Sequence, residues 1–143
     1  MKFAIASDHG GFELKEKICR YFKEQNREIA DLGTYGPDSV DYPDYAAKMA
    51  EYILGRQADL GILICGTGIG ISISANRYKG IRAALLYNDF AAEMARRHNN
   101  ANVLVFGGRT MAYEDVIRYI EIFLNAEFEA GRHQKRLEKL DKE

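Results

Sequence analysis

Leu60-Gly61-Ile62-Leu63-Ile64-Cys65 runs without a break into Gly66-Thr67-Gly68-Ile69-Gly70-Ile71-Ser72, and the two halves of this stretch decide the fold. An unbroken apolar run of this length, with no polar alternation, is expected for a central parallel strand covered on both faces. The glycines that follow form a turn, and the next residues open a helix. Outward from this unit the same strand-then-helix order repeats. Residues 3–7 form a strand and 10–25 a helix, with Leu14, Ile18, Tyr21 and Phe22 on one face. Residues 28–32 form a weaker strand. Residues 33–42 are rich in turn formers, and Pro43 suits the first turn of a helix reaching Gly55. Ala46, Met49, Ala50 and Ile53 would be its buried stripe. After the glycine loop, the helix is expected to end near Lys79-Gly80. Residues 81–87 make a fourth strand, 89–97 a fourth helix, 102–106 a fifth strand and 112–130 a long helix. Gly131 breaks the pattern before a charged helical tail from Arg132 onward.

Strand and helix alternating in this way imply an α/β architecture: a five-stranded parallel sheet with helices on both faces. The 143 residues fit one domain, 1–143, with a tail at 131–143. A composition of 47% hydrophobic and 29% charged residues is ordinarily globular, and a net charge of −1 gives no reason to expect nucleic acid or a membrane surface as partner. The opening Met1-Lys2-Phe3-Ala4-Ile5-Ala6 lacks the pattern of a signal peptide, and a cytoplasmic protein is expected. The two cysteines, Cys19 and Cys65, are far apart and form no CxxC pair, which argues against a disulfide framework or structural zinc.

Ligands of open parallel sheets bind at the carboxyl ends of the strands. That rule selects Ser7-Asp8-His9-Gly10-Gly11, Cys65 to Gly70, Tyr87-Asn88-Asp89 and Gly107-Gly108-Arg109-Thr110 as site loops. Alternate glycines at 66, 68 and 70 let backbone approach a ligand, and the amides around Ile69 suit an anion. A dinucleotide loop is the rival reading, but the spacing is GxGxG instead of GxGxxG, and it does not follow the first strand. Cys65 reads either as a small hydrophobe ending a strand or as a thiolate favoured by amides at a helix start. In the second case it would abstract a proton beside a carbonyl while the amides hold the enediolate. Cys19 sits in a helical pattern and reads as core. His9 follows a capping Asp8. His98 ends a helix after Arg96 and Arg97, a position that dipole arguments alone would explain. Arg132 and Arg136 share one helix face, where a solvated charged surface is the default. Asp38, Asp41 and Asp44 suggest a metal loop, which the absence of a nearby histidine in the sequence argues against.

Six stretches together resemble the ribose-5-phosphate isomerases of the B type over nearly the whole chain. They are Ser7-Asp8-His9-Gly10-Gly11, Asp41-Tyr42-Pro43, Ile64 to Ser72, Arg97-His98-Asn99, Asn102-Val103-Leu104, and Gly131-Arg132-His133-Gln134 with Arg136-Leu137. The resemblance implies a Rossmann-like domain, a dimer or dimer of dimers, and no metal or nucleotide cofactor. It implies Cys65 as the base between C1 and C2, and His98 as the acid that opens the furanose ring, with Thr67 nearby. Asp8, His9, Gly66, Gly68, Ile69 and Gly70 would hold the sugar and enediolate, Asn99 would assist, and Arg109, Arg132 and Arg136 would bind phosphate. A six-carbon sugar phosphate such as allose or galactose 6-phosphate is the alternative substrate. A non-catalytic sugar-phosphate or nucleotide binding module is the alternative class. The tail is also expected to start at the wrong edge of its own sheet to reach the Cys65 loop, so that His98, Asn99, Arg132 and Arg136 would serve a partner chain.

Overall fold

In the computed structural model, which describes residues 1–141, the backbone alternates as the sequence leads one to expect. The strands are β1 (Phe3–Ser7), β2 (Ile29–Asp31), β3 (Leu60–Cys65), β4 (Ala83–Leu85) and β5 (Val103–Gly107). The helices are α1 (Phe12–Glu24), α2 (Tyr42–Leu54), α3 (Ile69–Ala75), α4 (Asp89–Arg97), α5 (Tyr113–Asn125) and α6 (Arg132–Leu137). A short 3-10 turn, His9–Gly11, precedes α1. All four strand pairings are parallel, in the order β2-β1-β3-β5-β4.

Side chains of successive strand residues point to opposite faces, and here that alternation divides the core in two. Phe3, Ile5, Ile62, Ile64, Leu104 and Phe106 face α1, α4 and α5, while Ala4, Ala6, Leu63, Cys65, Val103 and Val105 face α2 and α3. The second face is lined with small residues, and α2 lies close against it. A side chain at Gly61 would collide with the Met49 sulfur.

Two helices stop before the sequence pattern does. α3 ends at Ala75 because Asn76 turns its amide onto β4, donating to the Ala83 carbonyl at 2.9 Å and accepting from its N–H at 2.8 Å. α5 ends at Asn125, and the chain then runs extended across the end of α4, where the Glu129 N–H donates to the Arg97 carbonyl at 3.0 Å. Lys15 is a further departure. It lies on α1, is fully buried, and donates to Asp31 at 2.7 Å and Glu16 at 2.9 Å. Burial alone would lower its pKa, but the hydrogen bonds it donates to both carboxylates, with their charges, outweigh burial, and the pKa is raised. Asp31 Oδ1 also accepts from the Gly33 N–H at 2.9 Å, which ties α1 to the loop after β2. No helix among the described residues is long and apolar enough to cross a membrane.

Candidate active site

The chain first runs from β1 outward to β2, then returns to the other side of β1 as β3. This reversal leaves a crevice between the carboxyl ends of β1 and β3, where open α/β sheets bind ligands. Three loops meet there. The Asp8 N–H donates to the Ile64 carbonyl at 3.1 Å, Gly108 N–H to the Cys65 carbonyl at 2.8 Å, and Arg109 N–H to the Gly66 carbonyl at 2.9 Å. The contact is close enough to require glycine. A Cβ on Gly11 would sit 2.5 Å from Ile64 Cγ2, and one on Gly108 would collide with the Gly10 carbonyl. Gly68 adopts φ 81, a left-handed conformation that side chains disfavour.

Cys65 lies at the centre of this junction, 5% exposed, and its Sγ accepts from the Gly68 N–H at 3.2 Å. Thr67 Oγ1 accepts from Ile69 N–H at 3.2 Å, which holds the loop shape. Asp8 is buried and caps the turn, its Oδ1 accepting from Gly10 N–H at 2.9 Å. His9 Nδ1 accepts from the Val40 N–H at 3.2 Å, so the neutral ring carries its proton on Nε2. That bond brings a histidine to the 33–41 loop, which the sequence alone gave no reason to expect. Arg109 is exposed, and its guanidinium lies over Gly66. Tyr42 was not expected from spacing, yet its ring packs where a Gly70 side chain would stand, 2.7 Å from the Cβ position. In the Tyr87-Asn88-Asp89 loop two side chains make structural contacts. Asn88 caps α4 at Ala91 N–H, 2.7 Å, and Asp89 pairs with Arg118 at 2.8 Å. Burial, and secondly Asp31, push the Cys19 thiol up to about 11. A wide concavity of about 1090 Å³ lies elsewhere, against β2 by Lys2, Cys19 and Arg27, and holds none of the converging residues.

The remaining expected residues form a second group at the other edge of the sheet. His98 closes α4, and Asn99 gives its carbonyl to Arg82, just before β4 begins. Ala130 and Gly131, both near φ 55, turn the tail back so that His133 stacks on His98 with ring centroids 4.0 Å apart. Arg132 and Arg136 are exposed on either side of His133 in α6. Glu129, which the sequence did not single out, lies 3.9 Å from His98 Nε2 and 3.6 Å from His133 Nε2 through the same oxygen. Its other oxygen accepts from Arg97 Nε at 2.6 Å. His98, Glu129 and His133 place three potential metal-ligand atoms within 4.8 Å of one another. The charges around them favour the opposite kind of ligand. Arg97 offsets part of the Glu129 charge, and Arg132 and Arg136 raise the local positive potential, so an anion is favoured over a dication.

With these two groups located, comparison with known proteins becomes specific. The sequence profile described as Ribose/Galactose Isomerase matches residues 3–140. The chain belongs to that family. Ribose-5-phosphate isomerase B of Escherichia coli is 44% identical over 137 residues, which cover 96% of this chain and 92% of that one. A crystal structure of the Thermotoga maritima ribose 5-phosphate isomerase matches with a TM-score of 0.96 and 53% identity, covering 98% of this chain and 97% of the other. The family member from Mycoplasma genitalium, crystallised with bound ribulose-5-phosphate, matches with a TM-score of 0.91 and 42% identity, covering 97% and 93%.

Proposed function

We propose that the chain is an aldose–ketose isomerase that interconverts ribose 5-phosphate and ribulose 5-phosphate through an enediolate. The observation that carries this reading is the Cys65 sulfur, held by the Gly68 N–H at 3.2 Å in the switch-point crevice. In the aldose-to-ketose direction, Cys65 takes the proton from C2, and the C2–H electron pair forms the C1–C2 double bond as the C1–O1 π pair moves onto O1. The same group returns the proton to C1, while the hydroxyl proton passes from O2 to O1. The amides of the Gly66, Gly68 and Gly70 loop hold the enediolate oxygens, and each well-placed donor lowers the barrier by about 3 kcal/mol. Asp8 and His9 hold the sugar, His98 protonates the ring oxygen with Thr67 nearby, and Arg109, Arg132 and Arg136 bind the phosphate, with Asn99 assisting. The test is turnover of a panel of pentose and hexose phosphates with chelator present. Ribose 5-phosphate is expected to be the best substrate. Faster turnover of allose or galactose 6-phosphate would reassign the substrate, and no turnover of any member would leave only a binding module.

Only the cyclic aldose needs ring opening, because the linear ketose has no ring to open. His98→Asn is therefore expected to slow ribose 5-phosphate at least about tenfold more than ribulose 5-phosphate. Equal losses in both directions at saturating substrate would remove His98 from that role.

The site is read as shared between two chains. β3 rises about 20 Å over its six residues, which puts the Cys65 loop and the start of the sheet on opposite edges. α5 carries the chain back by a similar 20 Å before the tail begins. His98, Asn99, Arg132 and Arg136 thus stand at the amino edge of their own sheet. The rim of the Cys65 loop also presents exposed Ile69 and Ile73, one turn apart on α3, an apolar face suited to a second copy.

A further inference from the structure

Glu129 has no role in the chemistry assigned so far, yet the fold fixes it more firmly than most surface carboxylates. It is held to the end of α4 twice, through its backbone N–H to the Arg97 carbonyl at 3.0 Å and through its Oε2 to Arg97 Nε at 2.6 Å. These contacts leave Oε1 facing two stacked imidazoles, 3.9 Å from His98 Nε2 and 3.6 Å from His133 Nε2. The rings are 12° from parallel. Two imidazolium ions at that distance would repel one another, and His98 is among the groups that depress the His133 pKa.

Which ring is the more readily protonated follows from solvation. The His133 side chain is 6% exposed and its Nε2 has no hydrogen-bond partner, whereas the His98 side chain is 36% exposed. Burial, then His98 and the arginines at 132 and 136, depress the His133 pKa, with Glu129 opposing them. The charged groups facing the pair are Arg97 from α4, which also meets Glu93, Glu129 from the extended segment, and Arg132 and Arg136 from α6. Glu129 is the one anion among them directed at the rings.

We propose that Glu129 is the positioning residue of the ring-opening acid: its carboxylate faces the Nε2 edge of His98 at 3.9 Å, favours the imidazolium form of that more exposed ring, and leaves the opposite Nδ1 edge for the sugar ring oxygen. The inference rests on the reading of His98 as that acid. Glu129 is assigned no contact with the sugar. It acts through the imidazole, as carboxylates do in other acid–base pairs with histidine.

The experiment compares pH profiles of kcat/KM for cyclic ribose 5-phosphate and linear ribulose 5-phosphate in the intact oligomer. The variants are Glu129→Gln, Glu129→Asp, Arg97→Gln and His98→Asn, each with its melting temperature measured. In Glu129→Gln the alkaline limb for the aldose is expected to move about one unit toward acid, because a carboxylate within 4–6 Å favours imidazolium by that order. The aldose rate above the limb then falls about tenfold, while the ketose rate changes less than twofold. Glu129→Asp keeps the charge and is expected to restore most of the limb. Arg97→Gln cuts the same anchor but leaves the carboxylate, so its limb stays in place or moves toward alkali. If Glu129→Gln and Arg97→Gln behave alike, Glu129 is only an anchor and the inference is wrong. A selective aldose loss in His98→Asn with an unmoved limb in Glu129→Gln sinks this inference alone. No selective loss in His98→Asn sinks the reading beneath it as well.

Discussion

Cys65→Ala is expected to lose roughly 1000-fold or more in kcat while binding ribulose 5-phosphate within a few fold of the parent. A base acts on the transition state, so removing it lowers kcat without a matching loss of ground-state affinity. General bases contribute about 100- to 10,000-fold, and Cys65 is the group at the centre of the loop junction, its sulfur held by the Gly68 N–H. The methyl side chain fits the space of the thiol, and the three loop-to-loop backbone bonds that converge there do not involve Sγ. The junction should therefore survive the substitution. Steady-state rates, a calorimetric Kd and exchange of the C2 proton with solvent check the three parts separately. A thiol alkylator gives an independent check. Cys19 is pushed up to about 11 by burial and is a poor nucleophile near neutrality, so loss of activity should track modification of Cys65, with substrate protecting it. Near-native turnover in the alanine variant would rule out the cysteine mechanism.

The sequence made the Cys65 half of the site visible for a physical reason. Parallel strands place their carboxyl ends together, so loops after Ser7, Cys65 and Gly107 must meet if strand positions are right. All five strands were right to within a few residues, the shortest, β2 and β4, being the most overextended. The helix ends misread came from contacts outside the helix itself. Nothing in the helix-forming residues 126–130 reveals that Glu129 will be drawn onto Arg97. Likewise, Asn76 ends α3 by bonding to a strand seven residues on. Lys15 was invisible for the same reason, since a lysine on an amphipathic helix is buried only when carboxylates from elsewhere, here Asp31, meet it. Neither strand order nor the His98–His133 stack has a local signature. His98, Arg132 and Arg136 were identified through the family resemblance, because basic residues near helix ends have an ordinary electrostatic explanation. Glu129 appeared in neither argument, and only the folded geometry brings it forward.

The second large effect concerns the division of the site between chains. Cys65→Ala and Arg136→Ala chains are each expected to be nearly inactive, yet co-refolded together they should recover activity. In the shared arrangement proposed above, each site of a two-fold dimer would take its Cys65 loop from one protomer and its His98, Asn99, Arg132 and Arg136 from the other. A mixed dimer then has one site lacking both residues and one site with neither change. Random pairing makes half of all dimers mixed, each with one good site, so about a quarter of the parent activity should return. Sites built within single chains would each keep one defect, and mixing would restore nothing. The structure supplies the reason to expect recovery. His133 lies stacked on its own chain's His98 at 4.0 Å, and Gly80 N–H holds Asp141 at 3.0 Å, so the tail is pinned along the amino edge of its own sheet. For Arg136 to reach its own Cys65 loop, that tail would have to leave these contacts and cross the length of a strand. A neighbour of opposite orientation needs no such rearrangement. Differently tagged chains, purified through both tags, provide proven mixed dimers for the assay. Their continued inactivity would show that each site is built within one chain and would return Arg132 and Arg136 to the solvated helix face that their spacing alone suggests.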